Sequence, residues 1–186
     1  MNNSIYVNIL NYMHGFKTGV RNLIKWFRVI WKDRDYDHSF IYEILRFKLE
    51  KQAYYLYHRN KFVSTQRDVE KMLLCSRLCM IQQEDLYDSE YLEYFDFEIS
   101  SSPSPTNPGC YEMDTVIISE NLDEYLSKYP RKHKMAIEGK LDLFIRPADP
   151  IELKKAYAME IAHYNQQQSK EILFKLLNQN IQRWWD

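Results

Sequence analysis

The chain has 186 residues, of which 45% are hydrophobic and 27% are charged, and its formal net charge is −1. Such a chain can bury a core, which excludes wholesale disorder and suits a single helical domain over residues 1–186. Its four glycines are too few for sandwiches and barrels with many tight turns. No apolar run of about 18 residues is available to span a membrane, and no secretory signal is visible, so we expect a cytoplasmic protein.

Helices are predicted throughout the first half of the chain. The first runs from about Thr18 to Lys32, because apolar residues recur there at spacings of three and four: Val20, Leu23, Ile24, Phe27, Ile30 and Trp31. The second covers about 38–59 and the third about 65–83. An acidic stretch with interleaved aromatic residues follows, and we expect it to be helical through about Tyr94.

The middle of the chain predicts a loop and a small sheet. Residues 100–109 are rich in serine and proline and form the obvious flexible loop. Thr115–Ile118 is predicted as a short strand, and Ser119 as the cap of a helix through Tyr129. Leu141–Ile145 is a second apolar run and the candidate partner of that strand.

The last helix is predicted from Pro150, which suits a first helical turn, to about Trp185. Three polar residues interrupt its apolar side: Asn165, Gln166 and Ser169. Either the helix breaks there, or these groups are satisfied in a buried polar layer. The predicted fold class is mainly α, a helical bundle with a small two-stranded β insertion.

The first helix carries a row of cations that is a candidate binding feature. Its four members are spaced by four, three and four residues: Arg21, Lys25, Arg28 and Lys32. Such a row, beside Trp31 and Arg34, can bind phosphate groups, an anionic membrane surface or an acidic protein face, but an ordinary solvated face explains it equally well. The net charge is −11 over residues 63–127, against +6 before and +4 after, so docking of the basic ends on the acidic middle is another explanation.

The segment Asp33–Asp37 has a carboxylate at every second position, as the start of a calcium loop does. The glycine and glutamate that such a loop requires are replaced by His38 and Ile44, so the motif fails. A two-metal hydrolase site remains an alternative use of this region, with the ligands Asp35, Asp37, His38 and Glu43. The simpler interpretation is a turn whose aspartates cap the second helix.

No other motif points to catalysis. Cys75, Cys79 and Cys110 form neither a disulfide framework nor a zinc-knuckle spacing, and the first two are interpreted as core residues. Phosphate loops, dinucleotide fingerprints, nucleophile elbows and kinase signatures are missing from the sequence. We therefore assign no catalytic residue, no metal ligand and no cofactor, and we favour a protein that is not an enzyme.

Two tryptophans, Trp184 and Trp185, lie near the end of the sequence, preceded by Arg183. Ordering a terminal turn costs backbone entropy, which burial of an indole offsets, so we predict that at least one is buried. Trp184 continues the apolar side of the last helix and is the expected anchor. Trp185 and Arg183 are candidates for a pocket wall, because an indole and a guanidinium can stack on a flat ligand.

Segments at both ends of the chain together resemble uncharacterised accessory proteins of tailed bacteriophages: Trp31–Asp37, Leu45–Leu49, Lys175–Leu177 and Trp184–Asp186. The resemblance does not extend to the middle of the chain. It implies expression in the cytoplasm of a bacterial host, and it transfers no catalytic residues. By analogy, it also implies interference with host processes or defence.

These observations predict a non-catalytic phage accessory protein that interferes with host defence by binding a phosphorylated nucleotide-like ligand, another anionic small molecule or a host protein. The predicted ligand-binding residues are Arg21, Lys25, Arg28, Trp31, Lys32, Arg34, Arg183 and Trp185. A metal-dependent nucleotide hydrolase that uses Asp33–Asp37 and a structural or virion-associated protein are the alternatives. A homo-oligomer is left open, whereas nucleic acid is not expected as a partner because the chain is nearly neutral.

Overall fold

A computed structural model describes residues 3–31, 38–59, 63–141 and 146–185, and the described chain is mainly helical with one two-stranded antiparallel sheet, as predicted. It divides into two compact units, residues 1–80 and 81–186. None of its described helices is both long enough and apolar enough to cross a bilayer. In chain order the elements are α1 (Asn3–Ile30), α2 (Ser39–Arg59), α3 (Val63–Gln83), α4 (Leu86–Glu90), a 3-10 helix (Tyr91–Tyr94), β1 (Phe95–Pro103), β2 (Tyr111–Glu120), α5 (Leu122–Lys128), α6 (Pro130–Ile137) and α7 (Pro150–Trp185).

The first unit contains α1, α2 and most of α3. The predicted bounds of α2 and α3 are confirmed to within two residues, but the predicted start of α1 at Thr18 is wrong. The helix begins at Asn3, because apolar residues continue the same spacing upstream through Phe16, Met13, Ile9 and Tyr6. The fully buried core side chains of this unit include Leu49, Met72, Cys75 and Cys79.

The apolar face of α1 is present but uncovered. All six residues that predicted it, from Val20 to Trp31, are exposed. The helix packs through a different side: Val29 is buried, and the ring of Trp26 meets the ring of Phe47 on α2 edge-on, with centroids 4.8 Å apart. The periodicity therefore identified an amphipathic helix but not the side that this chain buries.

The buried cysteines provide a first test of the core. Burial raises the pKa of the Cys75 thiol to about 11 and that of Cys79 to about 12, from 9.0, whereas Cys110 is exposed. We expect a thiol reagent at pH 8 to modify one cysteine in the native protein and three after denaturation, because the thiolate is the reacting species. The pKa values of these thiols are higher in the folded state than in the unfolded state. Their contribution to stability is therefore complete below about pH 9 and is lost progressively as the pH rises to about 12. Reaction of Cys75 or Cys79 at the rate of Cys110 would contradict this assignment.

The second unit contains a hairpin, β1–β2, that the sequence predicted only in part. The strand predicted at Thr115–Ile118 lies within β2, but its partner is β1 and not Leu141–Ile145, of which residues 142–145 lie outside the described residues. The predicted loop at 100–109 is also too long, because β1 continues to Pro103. Phe97 and Ile99 alternate there with acidic and serine residues, a strand pattern that the composition of the segment obscured.

The core of the second unit forms where α5 and α6 pack on the first half of α7. Its buried members include Leu122, Tyr125, Leu126, Ala158 and Ile161. Ser119 does not cap α5 as predicted; it lies in β2, and its hydroxyl donates to Asp96 Oδ2 at 2.5 Å. Within this unit basic and acidic segments do dock, since Lys128 pairs with Glu90 and Lys154 pairs with Asp123.

A buried polar layer crosses the middle of α7, which continues unbroken from Pro150 to Trp185. Gln82 Nε2 donates to the carbonyl of Gln166 at 3.1 Å and to Ser169 Oγ at 2.5 Å. Gln166 Nε2 donates to the carbonyl of Ile81 at 3.1 Å, and its Oε1 accepts from the backbone N–H of Tyr87 at 3.3 Å. The helix therefore does not break, and the side chains of Gln166 and Ser169 are satisfied in a buried polar layer. Asn165 is satisfied only in part: its Oδ1 accepts from Lys132 Nζ, whereas its buried Nδ2 has no partner among the described residues.

Two neighbouring tyrosines in this core allow a matched comparison. The Tyr125 hydroxyl is buried without a hydrogen-bond partner in the described part of the chain, whereas the Tyr129 hydroxyl donates to Glu90 Oε2 at 2.7 Å. Tyr125→Phe is expected to raise the free energy of unfolding by about 1 kcal/mol, because it removes an unsatisfied buried group, and Tyr129→Phe to lower it by about as much. Denaturant titrations of both variants measure this, and destabilisation by Tyr125→Phe would reveal a partner for its hydroxyl.

Candidate binding groove

An open groove lies in the second unit between the hairpin and the first half of α7, with a volume of about 940 Å³. One wall is the hairpin face that carries Phe97, Ile99 and Ile117. Ala156 and Met159 belong to the opposite wall, and Tyr91, Leu92 and Phe95 close the end where the hairpin begins. Most of the lining is therefore aromatic or aliphatic, which is typical of sites that bind apolar groups.

Both walls follow from simple periodicities. Alternate strand residues point to one side, so the cross-strand pairs Phe97–Ile117 and Ile99–Thr115 share the groove face. The α7 wall repeats at spacings of three and four, through Glu152, Lys155, Ala156, Met159, Glu160 and His163. The groove is thus the space between one sheet face and one helix face.

The apolar face of the hairpin extends beyond the groove. The next cross-strand pairs toward the tip are Ser101–Met113 and Pro103–Tyr111, and both Met113 and Tyr111 are more than two-thirds exposed. The opposite face is more polar: Glu98 pairs with Val116, and the next pairs toward the tip are Ser100–Asp114 and Ser102–Glu112. A two-stranded hairpin is only marginally stable on its own. An exposed apolar strip on such a hairpin therefore indicates an interaction site.

Two charged or titratable groups of the groove have acidic partners, one in the lining and one outside it. Lys155 Nζ lies 2.8 Å from Glu152 Oε1, and this hydrogen bond raises the pKa of Lys155. His163 Nδ1 lies 2.7 Å from Asp88 Oδ1. Glu160 adds a further carboxylate to the lining. The groove therefore carries more negative than positive charge, which suits a neutral or cationic ligand and opposes a phosphorylated one.

The residues predicted as ligand-binding lie elsewhere. Arg21, Lys25 and Arg28 are exposed on one side of α1, as expected, and Trp31 is exposed just beyond its end with its ring 5.0 Å from that of Phe27. Lys32 and Arg34 lie outside the described residues, as does the Asp33–Asp37 segment of the hydrolase alternative. 

Arg183 and Trp185 belong to the second unit, at the end of α7. Trp185 is 38% exposed, and its ring centroid lies 6.3 Å from that of the buried Trp184. Arg183 donates to Asn180 Oδ1 at 3.2 Å. These two side chains are accessible to a ligand, but they do not line the groove.

The groove was not predicted from the sequence, because β1, which forms half of one wall, was not predicted either. The available signal was the alternation of Phe95, Phe97 and Ile99 with Asp96 and Glu98. No cluster of potential metal ligands occurs among the described residues. In comparisons with known proteins, no protein-family model, no curated protein and no solved structure matches the chain.

Proposed function

We propose that this protein is a non-catalytic binding protein whose groove takes up an apolar segment of another protein. The observation that carries the proposal is the continuity of the groove with the exposed strip of the hairpin. A small molecule needs only the enclosed part of such a site, whereas a protein segment also covers the strip that leads to Met113 and Tyr111.

The charges of the groove support a protein partner over a phosphorylated nucleotide-like ligand. Lys155, a cation of the lining, is engaged by Glu152, and Glu160 is close by on the same helix. A phosphate entering the groove would meet these carboxylates, and no arginine is among the described residues that line it. A segment with apolar side chains and a basic residue fits both the walls and the charge.

The resemblance of the chain ends to phage accessory proteins supports a host protein as that partner. Binding of a host protein would provide interference with host defence without any catalytic residue. The groove supplies the recognition chemistry in this proposal, and the resemblance alone supplies the biological setting.

The test is selection of peptides from a displayed random library on the intact protein. Wild type should enrich sequences with two or more large apolar residues near a basic one, and Ala156→Trp, which fills the groove, should lose this enrichment. Gln168→Trp, at an exposed position of α7 outside the groove, should keep it. Equal enrichment on Ala156→Trp, or displacement of the peptides by millimolar ATP, would contradict the proposal.

A further inference from the structure

Besides the apolar strip of the hairpin, the protein exposes an apolar face on α1, in the first unit. Its exposed members occupy about 120° of the helix circumference: Tyr12, Met13, Phe16, Val20, Leu23, Ile24, Phe27 and Ile30. The side chain of Phe16 is 75% exposed. An apolar face of this extent on a helix of 28 residues is far larger than the isolated apolar residues that surfaces tolerate.

All the charged residues of α1 are cations. Lys17, Arg21, Lys25 and Arg28 are exposed and adjoin one border of the apolar face, and none forms an ion pair with a carboxylate in the described part of the chain. The sequence contains no aspartate or glutamate before Asp33. Four aligned like charges repel one another unless an anionic surface neutralises them.

We propose that α1 binds the surface of an anionic lipid bilayer, lying in the plane of the interface with its apolar face among the acyl chains and its cations at the headgroups. The helix combines the three properties that such binding uses: a continuous apolar face, a cationic flank and aromatic residues, including Phe16, Phe27 and Trp31, that suit the interfacial region. The bilayer would cover the apolar face of α1 that the chain leaves exposed.

A second copy of the chain is a weaker match for this face. The row from Met13 through Phe16, Val20, Leu23 and Phe27 to Ile30 has the alternating spacing of a helix–helix seam. The apolar face is wider than this seam, however, since Tyr12 and Ile24 flank it. Two copies would also bring two cationic helices together with no acidic residue on either, whereas anionic lipid neutralises each one.

Vesicle flotation of the full chain tests the proposal. Vesicles with 40% phosphatidylglycerol, a composition that we choose for the test, should bind the protein, and pure phosphatidylcholine vesicles should not. Lys25→Gln with Arg28→Gln should lower the partition coefficient about 30-fold, because each cation near the surface contributes about 1 kcal/mol at low salt. Lys170→Gln with Lys175→Gln, an equal change of charge at exposed positions of α7, should have little effect.

A second variant separates lipid binding from self-association. Phe16→Ser with Leu23→Ser should abolish flotation while leaving the protein monomeric in sedimentation, with helicity unchanged. Failure of wild type to bind anionic vesicles would overturn the proposal. So would a wild-type dimer in the absence of lipid that this variant dissociates, which would assign the face to a second copy.

Discussion

Replacing Trp184 by alanine is expected to lower the melting temperature by about 10 °C, the largest effect we predict for a single side chain. The indole is only 3% exposed at the end of α7. Truncation of a buried tryptophan costs about 3–5 kcal/mol, and each kcal/mol shifts the melting temperature by about 2–4 °C in a chain of this size. Differential scanning calorimetry at one protein concentration measures the shift.

Trp185→Ala is the matched control, because it removes the same group from the next position, where the indole is 38% exposed. Its effect should be less than half as large. Equal shifts for the two variants would mean that Trp184 stabilises the protein only by extending the helix. A larger decrease in melting temperature for Trp184→Ala than for Trp185→Ala would show that Trp184 anchors the end of α7.

Gln166→Leu is expected to destabilise the second unit by about 3–5 kcal/mol, although leucine is more hydrophobic and similar in size. The substitution would leave the N–H of Tyr87 and the carbonyl of Ile81 without the side-chain partner that each now has. A buried polar group that loses its partner costs about 1–3 kcal/mol, and these two groups are part-buried. Urea unfolding followed by circular dichroism measures the change.

Gln168→Leu provides the comparison for this second prediction. Gln168 is exposed, and its side chain makes a long 3.4 Å contact with the hydroxyl of Tyr164. Its replacement should change the free energy of unfolding by less than about 0.5 kcal/mol, as surface substitutions generally do. If Gln166→Leu is equally mild, then the layer is dispensable and water substitutes for the amide.

Helical periodicity allowed most of the helices to be predicted, because their apolar residues recur every three or four positions over long stretches. α7 was predicted at both ends, and the burial of Trp184 followed from its continuity with the apolar side. Periodicity reports that a helix is amphipathic, but not what covers it. The same reasoning gave α1 an apolar face that includes Val20 and Leu23, but it did not predict that both are exposed.

The hairpin and the groove could not be predicted in the same way. β1 has many serine and acidic residues because one of its faces is polar and its end adjoins a loop, and this composition matches that of flexible segments. Pairing of Phe97 with Ile117 is a contact between distant positions, and nothing local in the sequence specifies it. The groove needs this pairing and also the approach of α7, so it emerges only at the level of tertiary structure.

The polar layer of α7 has a consequence for how the chain folds during translation. Its bonds join residues 79 to 87 positions apart, with the end of α3 and the start of α4 on one side and the middle of α7 on the other. A ribosome adds about 5–20 residues per second, so the earlier segment emerges roughly 4–17 s before the helix that satisfies it. Throughout that interval the backbone of Ile81 and Tyr87 and the amide of Gln82 depend on water. The second unit therefore cannot complete its fold until α7 has left the ribosome, and its acidic segment stays exposed to chaperones and proteases until then.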